Sequence, residues 1–499
     1  MVQNDRVKVS TDLSPIAMES DYDDEEDFSK RPVTDMPNRP VFWSCVLFPV
    51  FRISNEFSWR RSSHKKESLD RRLIQKLRRN DVHAIDLGPA ASTEMVELGQ
   101  ALFFDPILSG NRDTACSTCH FPSAGTGDQL SLGVGTGTTT PSEVSFFREK
   151  GEGRSFIPRN APELFNKGSV LWESQFWDSR VATAYGSISS PAGEDLPAGL
   201  ATPLAVQAMF PVTSGDEMRG STADFLDPHK DNEIADPALD GDLPGIWNAL
   251  MNRLEQIEGY ADPVDGLFVK AYGEVPANLG FESAATALAA FESTAYSYDD
   301  SPFDEYLKGN RDAMTEAQKR GALLFYGKLQ CSSCHSGTLL TDQNHYNLAI
   351  PQFGEGKDES GLDLGRYLVT GNEEDRFKFR VPGLRNVTHT APYMHNGAYY
   401  NLADAIAHHL DPARSLMNYE ADEQLIQGAE LADTIIKERS VLRDLIKTAD
   451  VKRKKIKRAE MSDLLEFMQA LTAPNIEIRL ESTIPSSVPS GLPIDHFGE

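Results

Sequence analysis

Two copies of the pattern Cys-x-x-Cys-His constrain this chain more than any other feature of its sequence. The first is Cys116-Ser-Thr-Cys119-His120 and the second is Cys331-Ser-Ser-Cys334-His335. Two thiols separated by two residues can add across the vinyl groups along one porphyrin edge, and the next histidine then reaches the iron. The pattern therefore predicts two covalent haem c groups, with His120 and His335 as axial ligands.

Two other chemistries use closely spaced cysteines, and neither fits as well. A structural zinc ion needs four ligands close together, usually from two nearby pairs, whereas these pairs lie in separate halves of the chain. A redox-active dithiol explains neither the histidine that follows each pair nor the duplication. Haem c is normally attached after export, so we expect the protein in the periplasm or otherwise outside the cytoplasm.

The length of the chain, 499 residues, is too great for one hydrophobic core and favours two domains with appendages. Its 49 basic and 75 acidic residues give a net charge of −26, which argues against nucleic acid as a partner. A soluble protein with this charge is expected to attract a basic partner.

Residues 1–88 differ from the rest of the chain and are interpreted as an N-terminal extension. An acidic run at 21–27 and a basic stretch at 60–79 are typical of a solvated or disordered segment. The apolar patch at 41–50 fits either the core of an export signal, which leaves N-terminal membrane association open, or a buried or partner-facing patch. In the second case Cys45 is a buried thiol, an interpretation that we favour over a lipid attachment site. The sequence has no run of the roughly 20 apolar residues that span a bilayer.

An internal repeat begins after residue 89. The string Gly-x-x-Leu-aromatic-aromatic occurs at Gly99–Phe104 and again at Gly321–Tyr326, each time in an amphipathic segment that precedes a Cys pair. Thr315 and Gln318 form a capping box for the second segment. We therefore predict a mostly α fold of two cytochrome c-like helical domains, each binding one haem c, over residues 89–300 and 301–499.

Five ordered strings around these motifs resemble the bacterial di-haem cytochrome c peroxidases and their MauG-like relatives. The resemblance covers roughly residues 92–475. The strings that carry it are Leu108-Ser-Gly-Asn-Arg-Asp-Thr-Ala-Cys-Ser-Thr-Cys-His120, Arg159-Asn-Ala-Pro162, Gln175-Phe-Trp-Asp-Ser-Arg180, Phe379-Arg-Val-Pro-Gly-Leu-Arg-Asn386 and Thr390-Ala-Pro-Tyr-Met-His-Asn-Gly397.

The resemblance implies a division of labour between the two haems. The haem on His120 would react with peroxide, and the haem on His335 would receive electrons. Glu217 matches the acid–base catalyst of the family, which moves a proton between the two peroxide oxygens, and Gln207 and Pro211 match its companions. Trp177 matches a tryptophan that mediates electron transfer between the haems, although without the family match it reads as a core aromatic.

The resemblance also implies one calcium ion between the domains, held by Asn160, Thr390 and Pro392. Amide and backbone carbonyl oxygens are suitable calcium ligands, so a proline can contribute, and three ordinary turn residues are the alternative. His395 matches a position near the second haem that does not bind its iron. A homodimer is implied by the family alone.

The chain departs from the classical pattern at both haems. Classical members close the first haem with a removable histidine on the loop after the first motif. Here Val134 or Glu152 stands about where that histidine would be, and no histidine occurs between 120 and 229. We therefore expect an open first haem, as in the MauG-like group.

At the second haem the distal ligand of the family falls on His409, where classical peroxidases have Met and MauG has Tyr. We expect ligation by two histidines, His335 and His409. The neighbouring His408 stays open as an alternative. Met394 carries a thioether, but its position is not the ligating one of the family.

Three functions are compatible with these features. The leading hypothesis is a peroxidase that reduces hydrogen peroxide to water with electrons from a cytochrome c or a cupredoxin. The second is a MauG-like oxidase that modifies residues of a partner protein; the open first haem favours it and the absent tyrosine ligand counts against it. The third is a pure electron-transfer cytochrome, against which Glu217 and Gln207 speak because a carrier needs no distal acid.

Overall fold

The computed structural model describes residues 69–222, 232–236 and 240–498. Within them, helices joined by long irregular connections dominate and the strands are short, as the prediction of a mostly α protein requires. The acidic run, the apolar patch and Cys45 of the N-terminal extension lie outside the described residues. In the part of the chain that the structure describes, no helix has both the length and the apolar character needed to cross a bilayer.

The first half of the described chain contains nine α-helices and four strands. Residues 69–79 are helical and are called α1. The other helices are α2 Thr93–Phe104, α3 Cys116–Cys119, α4 Pro203–Ala208, α5 Leu243–Leu254, α6 Glu258–Ala261, α7 Leu267–Tyr272, α8 Phe281–Ala295 and α9 Pro302–Leu307. The strands are β1 Glu143–Val144, β2 Ser174–Gln175, β3 Val181–Ala184 and β4 Ser187–Ser189.

The second half of the described chain also consists of helices and a few short strands. Its helices are α10 Glu316–Leu323, α11 Tyr367–Thr370, α12 Leu402–Leu410, α13 Pro412–Met417, α14 Ala421–Gln424, α15 Ala429–Ala432, α16 Arg439–Lys447, α17 Arg458–Ala470 and α18 Ile476–Glu481, and its strands are β5 His345–Tyr346, β6 Phe379–Arg380 and β7 His496–Phe497. Single π-helical turns occur at Gly215–Arg219 and Leu324–Lys328.

Short 3₁₀ turns punctuate the irregular connections of both halves. They are Pro106–Leu108, Pro122–Ala124, Ser145–Phe147, Gly193–Asp195, Pro211–Thr213, Glu233–Ala235, Pro276–Asn278, Cys331–Ser333, Glu373–Asp375 and Val387–His389.

The internal repeat marks two equivalent helix crossings. A Cβ atom on Gly99 of α2 would lie 1.9 Å from the backbone oxygen of Ala287 in α8, and one on Gly321 of α10 would lie 1.9 Å from that of Asp463 in α17. Only glycine permits so close an approach of two helix backbones. The capping box of α10 is present, since the Thr315 hydroxyl accepts a hydrogen bond from the Gln318 backbone N–H and the Gln318 side chain accepts one from the Thr315 N–H.

Two large hydrophobic cores correspond to these crossings. Residues of α2, α5 and α8 build the first core, and residues of α9, α10 and α17 build the second. Two segments pack away from their neighbours in sequence: Leu73 and Leu77 of α1 join the second core, while Ile476 and Leu480 of α18 join the first. The domain boundaries at 89–300 and 301–499 stay a prediction.

Three small sheets complete the fold. Strands β2, β3 and β4 form an antiparallel sheet, and β5 pairs antiparallel with β6. Strand β1 pairs in parallel with β7, with Glu143 opposite His496. This last pairing brings the C-terminal end of the chain back to the first Cys motif.

Candidate active site and cofactor pockets

The second Cys motif lies in the wall of a large, mostly apolar cavity. Cys331, Cys334, His335 and His409 all line this space, which we call the second cavity. Cys331 follows the π-helical turn Leu324–Lys328 at the end of α10. Burial raises the pKa of the Cys331 thiol to about 11, so the free thiol is protonated at neutral pH.

His335 and His409 face each other across the second cavity. Their ring centroids are 6.3 Å apart. Two metal–imidazole bonds of about 2 Å each account for roughly 4 Å of such a separation, and two imidazole ring radii supply the remainder. His335 Nδ1 donates to the carbonyl of Leu340 at 3.1 Å and His409 Nδ1 to that of Ala405 at 2.8 Å. Both Nε2 atoms are thereby left in the orientation and tautomer that a metal ligand needs.

The alternative ligand, His408, points elsewhere. Its Nε2 atom donates to the carbonyl of Leu348 at 2.7 Å, and its Nδ1 atom accepts from the Tyr399 hydroxyl at 2.8 Å. The side chain is fully buried and does not line the second cavity. With both ring nitrogens engaged, His408 has no lone pair to offer an iron. The geometry thus favours His409.

The first Cys motif lies in the wall of another cavity, which we call the first cavity. Cys116, Cys119 and His120 lie in its wall, and α3 carries both thiols. His120 Nδ1 donates to the carbonyl of Thr126 at 3.1 Å, which again leaves Nε2 for a metal. Burial lowers the pKa of His120, which keeps the imidazole neutral as ligation requires.

Glu217, Gln207 and Pro211 line the same first cavity as the Cys motif. Glu217 lies in the π-helical turn Gly215–Arg219, a local geometry often found at functional sites. Its backbone carbonyl accepts a hydrogen bond from Thr136 N at 2.8 Å. The resemblance had placed these three residues together, and the structure brings them into one cavity.

The electrostatic environment of Glu217 has two opposing parts. Burial raises the pKa of its carboxyl group, while the positive charges of Arg180 and Lys357 lower it. All three side chains line the first cavity. Lys357 itself has a pKa lowered by burial and by the neighbouring arginines. The site therefore holds a buried carboxyl group whose pKa lies above its ordinary value, as is common for acid–base groups at functional sites.

Val134 and Glu152 stand where the removable histidine of the family is expected. Neither residue lines the first cavity. The Val134 side chain packs in an apolar cluster with Leu130, Leu132 and Phe156, and its carbonyl accepts from Arg148 Nε at 2.9 Å. Glu152 is exposed. The loop therefore brings neither a histidine nor either of these two residues to the position opposite His120.

Trp177 lies between the two cavities and lines both of them. Its side chain is 8% exposed, and its indole N–H donates to the carbonyl of Asn160 at 2.9 Å. Among the described residues, Trp177 is the one aromatic residue that lines both cavities. The other described residues found in both walls are Asn160, Ala161, Pro162, Glu163 and Arg380.

The three residues of the expected calcium site, Asn160, Thr390 and Pro392, all line the second cavity. Asn160 Nδ2 donates to the carbonyl of Leu130 at 2.8 Å, and the trio can supply only amide, hydroxyl and carbonyl oxygens. His395 and Met394 line the same cavity. His395 stacks on Phe379 with ring centroids 3.4 Å apart, and burial lowers its pKa to about 3.

Sequence reasoning missed several groups of the first cavity. Lys357 and Arg180 approach Glu217 as described above, and Asp128 and Glu292 are carboxyl groups whose pKa values burial raises to about 7 and about 8. Arg180 belongs to one of the strings that carry the family resemblance, so its place in the site could have been predicted from the sequence. Lys357 lies in a glycine-rich loop far along the chain, and no sequence pattern connects it to Glu217.

The residues present fit covalently attached haem c. Each cavity has a Cys pair in its wall and a histidine whose Nδ1 donates to a backbone carbonyl, and the second has a further histidine opposite. A helical protein with this pair of sites falls into the class of c-type cytochromes that have two candidate haem pockets in one chain.

Comparisons with known proteins narrow this class. Residues 93–312 match the family described as di-haem cytochrome c peroxidase. The chain is 31% identical over 320 residues to the cytochrome c551 peroxidase of Pseudomonas aeruginosa, which covers 64% of this chain and 72% of that protein. It is 30% identical over 321 residues to the methylamine utilization protein MauG of Methylorubrum extorquens, with coverage of 64% and 69%.

The fold agrees with this assignment. A crystal structure of a MauG-like protein associated with microbial copper homeostasis matches with a TM-score of 0.51 and 22% identity, over 79% of this chain and 94% of that one. The chain belongs to the di-haem cytochrome c peroxidase family. It is therefore an oxidoreductase of the cytochrome c peroxidase type.

Proposed function

We propose that this protein reduces hydrogen peroxide to water in the first cavity, with electrons that a small redox protein delivers at the second cavity. The donor is a cytochrome c or a cupredoxin, and the reaction takes place outside the cytoplasm. The observation that carries the proposal is that Glu217 and Gln207 share one cavity wall with Cys116, Cys119 and His120. Residues 89–300 form the peroxide-reducing half and residues 301–499 the electron-accepting half.

The chain's own residues account for the proton movements. A haem c held by Cys116, Cys119 and His120 would supply the iron at which the O–O bond of peroxide is cleaved. Glu217, as a carboxylate, accepts the proton from the nearer oxygen and returns it to the farther one, which then leaves as water instead of hydroxide. Gln207 orients the peroxide by hydrogen bonding. Two electrons and two further protons complete the conversion of one peroxide to two waters.

Electrons enter at the second motif, because a residue between its cysteines is exposed whereas those between the first two cysteines are buried. Ser117 and Thr118, between the first two cysteines, are 0% and 1% exposed, and both hydroxyls donate to Asp495 Oδ2. Ser333, between the second two cysteines, is exposed. A donor protein can therefore approach the edge of the second site more closely than that of the first. Trp177 then passes electrons between the two sites.

The second histidine pair defines the proposed electron-accepting site. His335 and His409 would hold the second haem c together with Cys331 and Cys334. Two nitrogen ligands would leave no open coordination position there, so that peroxide would react in the first cavity. We also propose one calcium ion on the oxygens of Asn160, Thr390 and Pro392, and a homodimer, which rest on the family resemblance.

A second candidate function is oxidation of residues on a partner protein. The first cavity has neither Val134 nor Glu152 in its wall, which suits an open iron, and MauG is among the relatives. His409 in place of tyrosine counts against this function. A pure electron carrier is disfavoured by Glu217, since a carrier needs no acid in its pocket.

One experiment separates these functions. Steady-state consumption of peroxide is measured with several reduced cytochromes and cupredoxins, and separately with a small-molecule reductant. Saturable turnover with at least one protein donor supports the peroxidase. Electron exchange with donors but no loss of peroxide identifies a carrier. Loss of peroxide that depends on a partner protein, with covalent change of that partner, identifies the oxidase.

A further inference from the structure

A cluster of basic side chains lies beside the second cavity in an otherwise acidic protein. Between α16 and α17 the chain carries five cationic residues, which we call the basic strip: Lys452, Arg453, Lys454, Lys455 and Lys457. Lys452, Lys455 and Lys457 are exposed. The net charge of the whole chain is −26, so this face differs in sign from the molecule that bears it.

Hydrogen bonds fix the basic strip at the edge of the second cavity. Lys454 N donates to the carbonyl of Leu410 at 2.8 Å, next to His409 in sequence. Lys454 Nζ donates to the carbonyl of Leu329 at 2.6 Å, two residues before Cys331. Val451 and Lys454 line the second cavity together with both cysteines and both histidines. The strip is thus positioned by the elements that carry the candidate haem ligands.

Acidic neighbours neutralise only part of this charge. Arg453 Nε pairs with Asp411 at 3.0 Å, and Lys328 Nζ pairs with Glu460 at 2.6 Å. Asp450 Oδ2 accepts from the backbone N–H of Asn347 and is a third acid at this face. The hydroxyl of Tyr346, in the wall of the second cavity, donates to Asp342 Oδ2, which is a fourth acid. The five residues of the strip and Lys328 make six cations beside these four acids. The excess is positive.

The local excess outweighs the distant negative charge at close range. The Debye length is about 8 Å at physiological ionic strength, so charges far from the contact are largely screened for a docked partner. Short-lived complexes between redox proteins bury small areas, below about 1,200 Å², so the charges at the rim of the haem edge dominate the contact. Local charge complementarity raises association rates by about 10–10³-fold.

We propose that the basic strip is the docking surface for an acidic electron donor, a small redox protein with carboxylates around its own exposed redox centre. This inference rests on the proposed function, in which electrons enter at the second cavity. It departs from the basic partner that the net charge of the chain suggests. The strip guides the donor to the exposed side of the Cys331–Cys334 motif and keeps the two redox centres close during transfer.

The test uses the full-length holoprotein and two donors of opposite charge. Stopped-flow spectroscopy measures the second-order rate of its reduction by a reduced acidic cupredoxin of the plastocyanin type and by a basic mitochondrial-type cytochrome c. The wild-type protein should react faster with the acidic donor. Lys452→Glu/Lys455→Glu should slow that reaction at least tenfold, and calorimetry with the oxidised donor should show a matching loss of affinity. A faster reaction with the basic donor, or a change of less than twofold in the double variant, would overturn the proposal.

Two controls make the result specific. Lys455→Glu alone should weaken the reaction with the acidic donor, whereas Lys270→Glu, the same charge change on an exposed residue of α7 in the first core, should not. Peroxide turnover with a small uncharged reductant should be unchanged in every variant. If that turnover is absent from the wild-type protein, the proposed function fails. If that turnover is normal but charge reversal in the basic strip does not change the rate of reduction by the acidic donor, only the docking surface is refuted. A further outcome would also refute the proposal. If Lys455→Glu abolishes binding to anionic phosphatidylserine vesicles but does not change the rates with either donor, the basic strip is a membrane-binding surface.

Discussion

The imidazole rings of His335 and His409 lie 6.3 Å apart across the second cavity. One metal ion fits between two rings at this distance, and each ring has its Nδ1 atom bonded to a backbone carbonyl. The adjacent His408 uses both nitrogens in bonds to Tyr399 and Leu348. One residue along a helix thus separates a candidate iron ligand from a buried structural histidine.

Replacement of His409 should open the second haem. His409→Ala removes one of the two axial nitrogens, so we expect the electron paramagnetic resonance spectrum of the oxidised protein to show this haem change from low spin to high spin. His408→Gln is the matched control and should leave the haem low spin, because His408 does not line the cavity. The opposite pattern would move the ligand by one residue.

The first haem should be high spin in the resting, fully oxidised protein. Val134 and Glu152, at the positions where a closing histidine is expected, both lie outside the wall of the first cavity. Electron paramagnetic resonance before any reduction should therefore show one high-spin and one low-spin haem. Two low-spin signals would mean that another side chain of the first cavity closes the iron.

Trp177 should control the rate at which electrons reach the first cavity. In Trp177→Phe we expect slower oxidation of the reduced second haem by peroxide, measured by stopped-flow absorbance, with the spectra of both haems unchanged. Trp172→Phe is the control, because Trp172 is also buried and packs against Lys167 and Arg380. Unlike Trp177, Trp172 lines neither cavity. Equal slowing in both variants would indicate a general loss of packing.

The positive charge of Lys357 should set the acid limb of the pH profile. Burial raises the pKa of Glu217 and the charges of Arg180 and Lys357 lower it. Turnover requires the carboxylate, so kcat/KM for peroxide falls as the pH drops through this pKa. Lys357→Met removes one stabilising cation, raises the pKa further and shifts the acid limb to higher pH. The control Lys437→Met, at an exposed lysine, should leave the acid limb of the pH profile in place. If the acid limb of Lys357→Met does not move either, Lys357 does not influence the pKa of Glu217.

Much of the fold could be predicted because its signals are local. The Cys-x-x-Cys-His strings, the capping box at Thr315 and the repeated glycine all act within one or two turns of chain, and the glycines at 99 and 321 are found at equivalent helix crossings. The pairing of β1 with β7 was not predictable, since it joins two-residue strands from different halves of the described chain, and strands so short have no period to detect.

The candidate site shows the same limit. Glu217 and Gln207 could be named from the resemblance, but Lys357 could not, because it reaches the first cavity from a loop of the other half of the chain. The choice between His408 and His409 likewise depends on the direction of two neighbouring side chains. Their orientation is set by the hydrogen bonds of His408 with Leu348 and Tyr399, which sequence spacing does not encode.

The central claim, that Glu217 moves the proton during peroxide cleavage in the first cavity, is tested most directly by the turnover of Glu217→Gln. The amide keeps the shape of the side chain but cannot accept and return a proton, and general acid–base catalysis typically contributes about 10²–10⁴-fold. We predict that steady-state peroxide reduction falls by roughly that factor, with both haem spectra and the reduction of the second haem by donor unchanged, while Glu152→Gln, at an exposed carboxylate, keeps wild-type turnover. Wild-type turnover in Glu217→Gln would contradict the account.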